Sequence, residues 1–324
     1  MKVLVRLLKN PTSLTGIILL VVFVIMAITA PMFAPPAENA RDPYLIPRDG
    51  FSTTPVRPTA THPLGTTEGQ YDIYYGVIWG TRTAFRIGVV ITLFTTMIGL
   101  FVGAISGFYG GWLDEVLMRI TEIFQAFPFL LAAITLTSVL QTIYGRGEAG
   151  PLMFLAKLLA MVTFGKSPTS EIDPIQLQIL TGMLAIIVFG WMTYARVIRG
   201  NILAVKSFDY ALAARTIGAR DMRILFRHLL PNAVFPVLVI ASMNIGSYVL
   251  TFAALSFLGL GAQRGYADWG QMISFARNWV PSLADHWYIV VYPGVAIVLF
   301  VLAWNLVGDA LRDILDPRLT GSRA

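Results

Sequence analysis

Six stretches of mainly apolar residues, each long enough to cross a bilayer, constrain this chain more than anything else in it. A helix rising 1.5 Å per residue needs about 20 apolar residues to cover about 30 Å of hydrocarbon. The segments 14–33, 87–108, 123–143, 177–195, 233–252 and 287–307 all meet that length. Lipid offers no partner for backbone N–H and C=O groups, so such segments must be helices that satisfy their own hydrogen bonds. The sequence therefore predicts an all-α polytopic membrane protein with six transmembrane helices and both termini on one side. Composition agrees. Residues are 56% apolar and 13% charged, against about 25% charged in a soluble domain. The absence of cysteine excludes disulfides, thiolate zinc sites and cysteine nucleophiles. His62, His228 and His286 lie too far apart for a local metal motif, so neither a metal nor a catalytic centre is expected.

The charges orient the chain. Seven of the Lys and Arg residues fall between Arg196 and Arg227, against only Arg264 and Arg277 between the fifth and sixth spans. Short loops rich in Lys and Arg stay in the cytoplasm, so both termini are predicted to be cytoplasmic. The net charge of +6 is thereby explained by topology rather than by a nucleic-acid partner. Lys2, Arg6 and Lys9 precede the first span, as in a secretory signal. That run is longer than a signal core, and five spans follow it, so it reads as an anchor.

The expected organisation is a tail and first span over 1–34, an external proline-rich segment over 35–81, and a five-helix core over 82–324. Inside the core lie a cytoplasmic loop, 196–231, and an external insertion, 144–174. The insertion holds an apolar run, 152–164, too short to span, which suits an interface or a partner surface. Ala160 to Ser167 formally fits a permissive phosphate-loop pattern. It lacks the glycine-rich cradle and a following helix, so it is read as coincidence.

The strongest local signal is the loop segment 207–232. Tyr210, Ala213, Ala214 and Ile217 recur at helical spacing and predict one face of a short helix, with Asp209, Arg215 and Arg220 keeping the remainder soluble. Gly218 permits a turn that a β-carbon would resist. Asp221 is placed to cap a second helix whose apolar face is Ile224, Leu225 and Leu229, and Pro231 suits the first turn of the fifth span. The result is a helix-turn-helix elbow leading straight into the membrane. Its small Ala213–Ala214 surface lets a partner approach closely, which a freely solvated loop would not require.

These residues carry a resemblance. Ala213-Ala214, Gly218 and Leu230-Pro231 match the cytoplasmic signature of ABC importer permeases. The wider chain is similar to the C-type permease of the dipeptide/oligopeptide branch at His62-Pro-Leu-Gly-Thr66, Gly80, Arg82 and Gly107 through Trp112. The same holds at Leu255 through Gly261, Trp269-Gly270, Gly308-Asp309, Leu311 through Asp313 and Asp316 through Arg318. Departures are Leu212 where the family usually places Glu, Gln70-Tyr71-Asp72 where Gly-Arg-Asp is common, and a longer insertion after the third span. The resemblance implies the ABC importer type I permease fold with cytoplasmic coupling helices, in a prokaryotic cytoplasmic membrane. Tyr210, Ala213, Ala214, Ile217, Gly218, Leu230 and Pro231 would then contact an ATPase. Implied partners are a second homologous permease, two cytoplasmic ATPases that carry ATP and Mg, and an extracytoplasmic substrate-binding protein. Peptides are the implied cargo, with nickel complexes or oligosaccharides as alternatives.

Within the spans, Gly99, Gly103 and Gly107 recur every fourth residue, a ridge that admits a close helix neighbour. Asn244, Ser247, Tyr248 and Thr251 form one polar stripe on the fifth span. Because a lone polar group facing lipid is costly, the stripe either lines a solute path or hydrogen-bonds another helix. Glu115, Arg119 and Glu122 share a helical face near the inner end of the third span, as an interfacial ion pair. A secondary transporter or channel would show buried membrane charges or paired broken helices. These are weak here, and a transporter acting alone, like a membrane scaffold, leaves the elbow without a motor.

Overall fold

The computed structural model describes residues 10–38, 40, 42–146, 150–167, 169 and 171–315. Lys2, Arg6, Lys9, Arg41, Pro168 and the Asp316 to Arg318 motif lie outside the described residues. Helices dominate: α1 Pro11–Phe33, α2 Ile73–Tyr109, α3 Gly111–Gln125, α4 Phe129–Gly145, α5 Gly150–Phe164, α6 Pro174–Gly190 and α7 Met192–Val205. The elbow pieces α8 Asp209–Thr216, α9 Asp221–Arg223, a π-helical turn Ile224–Leu229 and α10 Leu230–Ala233 follow. Then come α11 Phe235–Phe257, α12 Trp269–Ser274, a 3-10 stretch Phe275–Ser282 and α13 Tyr288–Leu315.

Five helices are long and apolar enough to cross a membrane, with α6 and α7 joined into one span, Pro174–Val205. The third stretch departs from expectation. In place of one helix over 123–143, α3 and α4 meet at a break with their axes bent by 87°. Pro128 is the cause: it has no N–H to give to the helix, and its ring drives the preceding residue away from helical geometry. A sixth span exists only if this bent pair counts as one. The second span departs in the other direction. Asp72 accepts a hydrogen bond from the Tyr75 N–H at 2.8 Å and caps α2 at Ile73, so the proposed core boundary at residue 82 falls inside a continuous helix.

Helix α2 is the axis of the fold, packing on α7, α11, α1 and α6. Its glycine ridge does what the spacing predicted. A β-carbon on Gly99 would lie 2.4 Å from the Tyr194 Cβ, and one on Gly103 would lie 2.1 Å from the Ala195 carbonyl oxygen. The two backbones are therefore in contact along α7. Two apolar clusters share α2. One joins Ile91, Ile187, Tyr194, Ile198 and Phe252 to the elbow, and the other gathers Phe23, Trp79, Trp269 and Phe300 around α1, α12 and α13. Gly80 admits the Trp269 indole, whose Nε1 donates to the Val77 carbonyl at 3.1 Å.

The proline-rich segment is irregular, as expected, yet it is pinned. The Ile46 N–H donates to Gly265 O, and the Ala267 N–H donates to Tyr44 O, both at 2.8 Å. The insertion forms α5, which seats Ala156, Leu159 and Ala160 against its own chain and leaves Phe154, Leu155 and Val162 outward. Gly165, at φ 66, follows the end of this helix, and no described helix opens before Pro174. The phosphate-loop pattern thus has no helix start behind it, in keeping with coincidence.

His62 closes the segment onto α2. Its Nδ1 lies 2.7 Å from Asp72 Oδ2 and its Nε2 lies 3.0 Å from Asp49 Oδ2. Hydrogen bonding to Asp72, opposed in part by burial, holds its pKa above the ordinary 6.5. A raised histidine pKa contributes stability that is complete below 6.5 and is lost as pH rises through the folded value. Protection of the 49–72 backbone from hydrogen exchange is expected to fall across that interval, and His62→Gln is expected to flatten the profile. Gly103→Ala should destabilise the purified protein by about 1–3 kcal/mol through forced separation of α2 and α7. Gly200→Ala, with open space at its β-carbon, should be neutral or stabilising in the same thermal-unfolding assay.

Candidate functional site

The elbow forms because its two arms have different obligations. Gly218 adopts φ 77, a left-handed turn suited to a residue without a β-carbon. Before the turn, α8 presents Tyr210 and Ala213 to the outside, and Ile217 at its C-cap is 84% exposed. Ala214 corrects the expected face. It is only 6% exposed and lies with Ala211 against the chain's own core. Residues i, i+3 and i+7 share the outer face, while Ala211 and Ala214 turn inward because the second arm runs beneath them.

That second arm buries Ile224, Leu225 and Leu229, the predicted apolar face. Asp221 does not cap it. Arg220 occupies the N-cap position, with no side-chain capping bond, and Asp221 falls in the first turn, where its charge still favours the helix N-terminus. Pro231 likewise sits one element early. It lies in α10, while Pro236 occupies the first turn of α11. The π-helical turn precedes Pro231, widening the backbone where a proline ring would meet the preceding turn. The Asn232 side chain donates to the His228 carbonyl at 2.6 Å.

Polar contacts that no local pattern announces brace the elbow against the membrane helices. Arg199 Nε and Nη2 donate to the two Asp114 carboxylate oxygens, each at 2.5 Å. Asp114 also accepts from Ser106 Oγ. This pair fastens the ends of α2 and α3 to α7. Lys206 Nζ donates to the Phe108 carbonyl, the Arg215 guanidinium lies 5.8 Å from the centre of the Phe108 ring, and Asn201 Nδ2 donates to Ala233 O at 2.9 Å. Arg119 and Glu122 form the expected exposed ion pair at 3.3 Å.

The polar stripe of α11 borders a cleft of about 530 Å³, which includes Asn244, Ser247, Tyr248 and Thr251. Its opposite wall is the broken third span, with Phe127 and Pro128 at the bend. The stripe faces this cleft and also hydrogen-bonds other helices. Asn244 Nδ2 donates to Tyr194 Oη at 2.8 Å, and Tyr248 Oη donates to the Gly190 carbonyl at 3.1 Å, so two members tie α11 to α6 and α7 while facing the cleft. Ser247 stays exposed, and the Thr251 hydroxyl returns to the Ser247 carbonyl at 2.9 Å. The elbow feeds directly into this helix. Elbow and cleft residues thus lie on one continuous stretch of chain, while the Asp114–Arg199 clamp and the Pro128 wall have no signature in the local sequence pattern.

Comparison with known proteins agrees with this geometry. Residues 99–321 match the family described as the binding-protein-dependent transport system inner membrane component. Residues 2–48 match the N-terminal transmembrane domain of oligopeptide transport permease C. The chain is 36% identical over 281 residues to the glutathione transport system permease protein GsiD of Pectobacterium atrosepticum, covering 85% of this chain and 81% of that one. It is 33% identical over 322 residues to the probable D,D-dipeptide transport system permease protein DdpC of Escherichia coli K12, covering 99% and 93%. A solved chain of the MetNI methionine ABC transporter, in an inward-facing conformation, superposes with a TM-score of 0.53 at 19% identity, over 75% of this chain and 97% of that one. These relatives are transport permeases rather than enzymes, and in ABC importers ATP hydrolysis resides in separate subunits. The chain therefore belongs to the family of binding-protein-dependent transport system inner membrane components, the multi-pass permease subunits of ABC importers.

Proposed function

We propose that this permease forms half of the translocation path of an ATP-driven peptide importer and is moved through its elbow. The observation that carries the reading is the division of α8. Its inner face is locked to the core by Ala211 and Ala214, while Tyr210, Ala213 and Ile217 stand outward. An exposed apolar patch on a short braced helix fits a partner surface. In this reading the outer face, with Gly218 setting the angle, seats in a cytoplasmic ATPase. ATP and Mg act there and not on this chain. Leu230 and Pro231 carry the displacement into α11, so that Asn244, Ser247, Tyr248 and Thr251 move with it.

The assembly would comprise a second homologous permease, two ATPases and an extracytoplasmic binding protein, with both termini cytoplasmic in a prokaryotic cytoplasmic membrane. Peptide cargo rests on the relatives, which are named as permeases for glutathione and D,D-dipeptides. Nickel complexes and oligosaccharides have no such support among these relatives. The corrected burial also selects the variants. Ala213→Glu and Ile217→Asp place charge on the exposed face, whereas any change at Ala214 would strike the core. Each is expected to abolish ATP-dependent peptide uptake and co-purification of the ATPase, while the permease still inserts with its partner. Retained uptake in both would overturn the coupling role.

The Asp114–Arg199 clamp tests transmission rather than docking. Asp114→Asn leaves a guanidinium without its counter-charge at a cost of about 2 kcal/mol. In the assembled importer it is expected to lower uptake about tenfold while ATP hydrolysis continues. The reversed pair, Asp114→Arg with Arg199→Asp, is expected to recover part of the loss in the same vesicles.

A further inference from the structure

At the end of α11 remote from the elbow lies a second pocket, of about 390 Å³ and bordered mainly by polar side chains, including Gln178, Ser256, Gln271, Ser274, Arg264 and Arg277. Ser256 is five residues beyond Thr251 in sequence, about 7.5 Å of helical rise further along the same span. Gln271 is the unusual member. It is 2% exposed, yet neither Nε2 nor Oε1 has a hydrogen-bond partner among the described residues. A buried amide left with both a donor and an acceptor open is costly, and here both atoms belong to a residue lining a cavity.

The charges around it are uneven. The Arg277 guanidinium lies 4.2 Å from the centre of the Phe257 ring, with no ion-pair partner among the described residues. Arg264 lies 5.3 Å from the Phe275 ring centre and 3.8 Å from the Glu68 carboxylate. Glu68 also accepts from Asn278 Nδ2 at 2.7 Å, so one acidic group already meets one arginine at the rim. Asp268 is not among the lining residues. Its carboxylate accepts the Gln271 backbone N–H at 2.8 Å, which caps α12. One guanidinium remains in excess, beside an amide that lacks partners.

We propose that this pocket receives the C-terminal end of a peptide, with Arg277 pairing its carboxylate and Gln271 pairing the adjacent peptide group. A planar guanidinium fork matches a carboxylate with two parallel hydrogen bonds. The Gln271 amide offers the complementary donor and acceptor to one peptide unit, a match that an inorganic anion would leave half unused. The volume lies within the range of small-molecule sites. This assignment rests on the peptide reading above and deepens it, making the pocket a selectivity station on α11 beyond the polar stripe.

The test uses the complete importer in proteoliposomes, with its binding protein saturated by a peptide or by the same peptide as its C-terminal amide. The unaltered importer is expected to move the free acid about tenfold faster than the amide, the worth of one charge-assisted pair. Arg277→Gln should erase that ratio by slowing the acid alone, Arg277→Lys should keep part of it, and Gln271→Leu should slow both forms. A ratio unchanged by Arg277→Gln overturns the proposal. So does an equal loss on acid and amide, which would instead assign Arg277 to an acidic contact on the binding protein or to folding. An unaltered importer that moves neither peptide overturns the cargo reading itself, a result distinct from either.

Discussion

The contact on which this structure depends is backbone against backbone, where Gly99, Gly103 and Gly107 let α2 lie directly on α7. Apolar side chains gain little by leaving lipid for one another, so close van der Waals approach does the work that burial does in water. It holds against α2 the length of α7 that leads into the elbow. Arg199 reaches Asp114 because that spacing is short, and Lys206 finds the Phe108 carbonyl in the last turn of α2 for the same reason. A bulkier ridge would separate both pairs together. The polar clamp is thus a dependent of the glycines, and the elbow is a dependent of the clamp.

What could be read from the chain follows from the range of each interaction. Helix periodicity and the lipid constraint act locally, so the all-α class, the spans other than the broken third and the early start of the second, the inner face of Ile224, Leu225 and Leu229 and the turn at Gly218 were legible. Ala214 was not. Helical spacing groups it with both Tyr210 and Ala211, and only the second arm folding beneath α8 decides which side is buried. Asp221 looked like a cap by residue type, yet the chain enters the helix one residue sooner. Pro128 stood in plain view, but hydropathy averages over it, and a window that counts apolar residues does not notice a missing N–H. The partners of Asn244 and Tyr248 lie on helices far away in sequence, beyond any local pattern.

The bend at Pro128 changes the meaning of the polar stripe. A straight third span would have covered α11 along its length. Broken, it borders a cleft with polar α11 side chains on one side and mainly aromatic ones, with Pro128, on the other. In the proposed path such a surface would offer a passing solute weak hydrogen bonds, since Asn244 and Tyr248 already use part of their capacity within the protein. A transport path needs that moderation, because a site that holds too well does not release.

The π-helical turn at Ile224–Leu229 has a geometric consequence beyond accommodating Pro231. Each residue inserted into a helix advances every later side chain by about 100° around the axis. The wide turn therefore acts as a phase shifter between the outer arm of the elbow and the span. It sets the compass bearing of Asn244 and Tyr248 relative to Tyr210 and Ile217. Two helices could share the same patterns of faces and still aim them at different neighbours. In this chain the bearing is adjusted by one turn of backbone, between the proposed docking surface and the cleft lining.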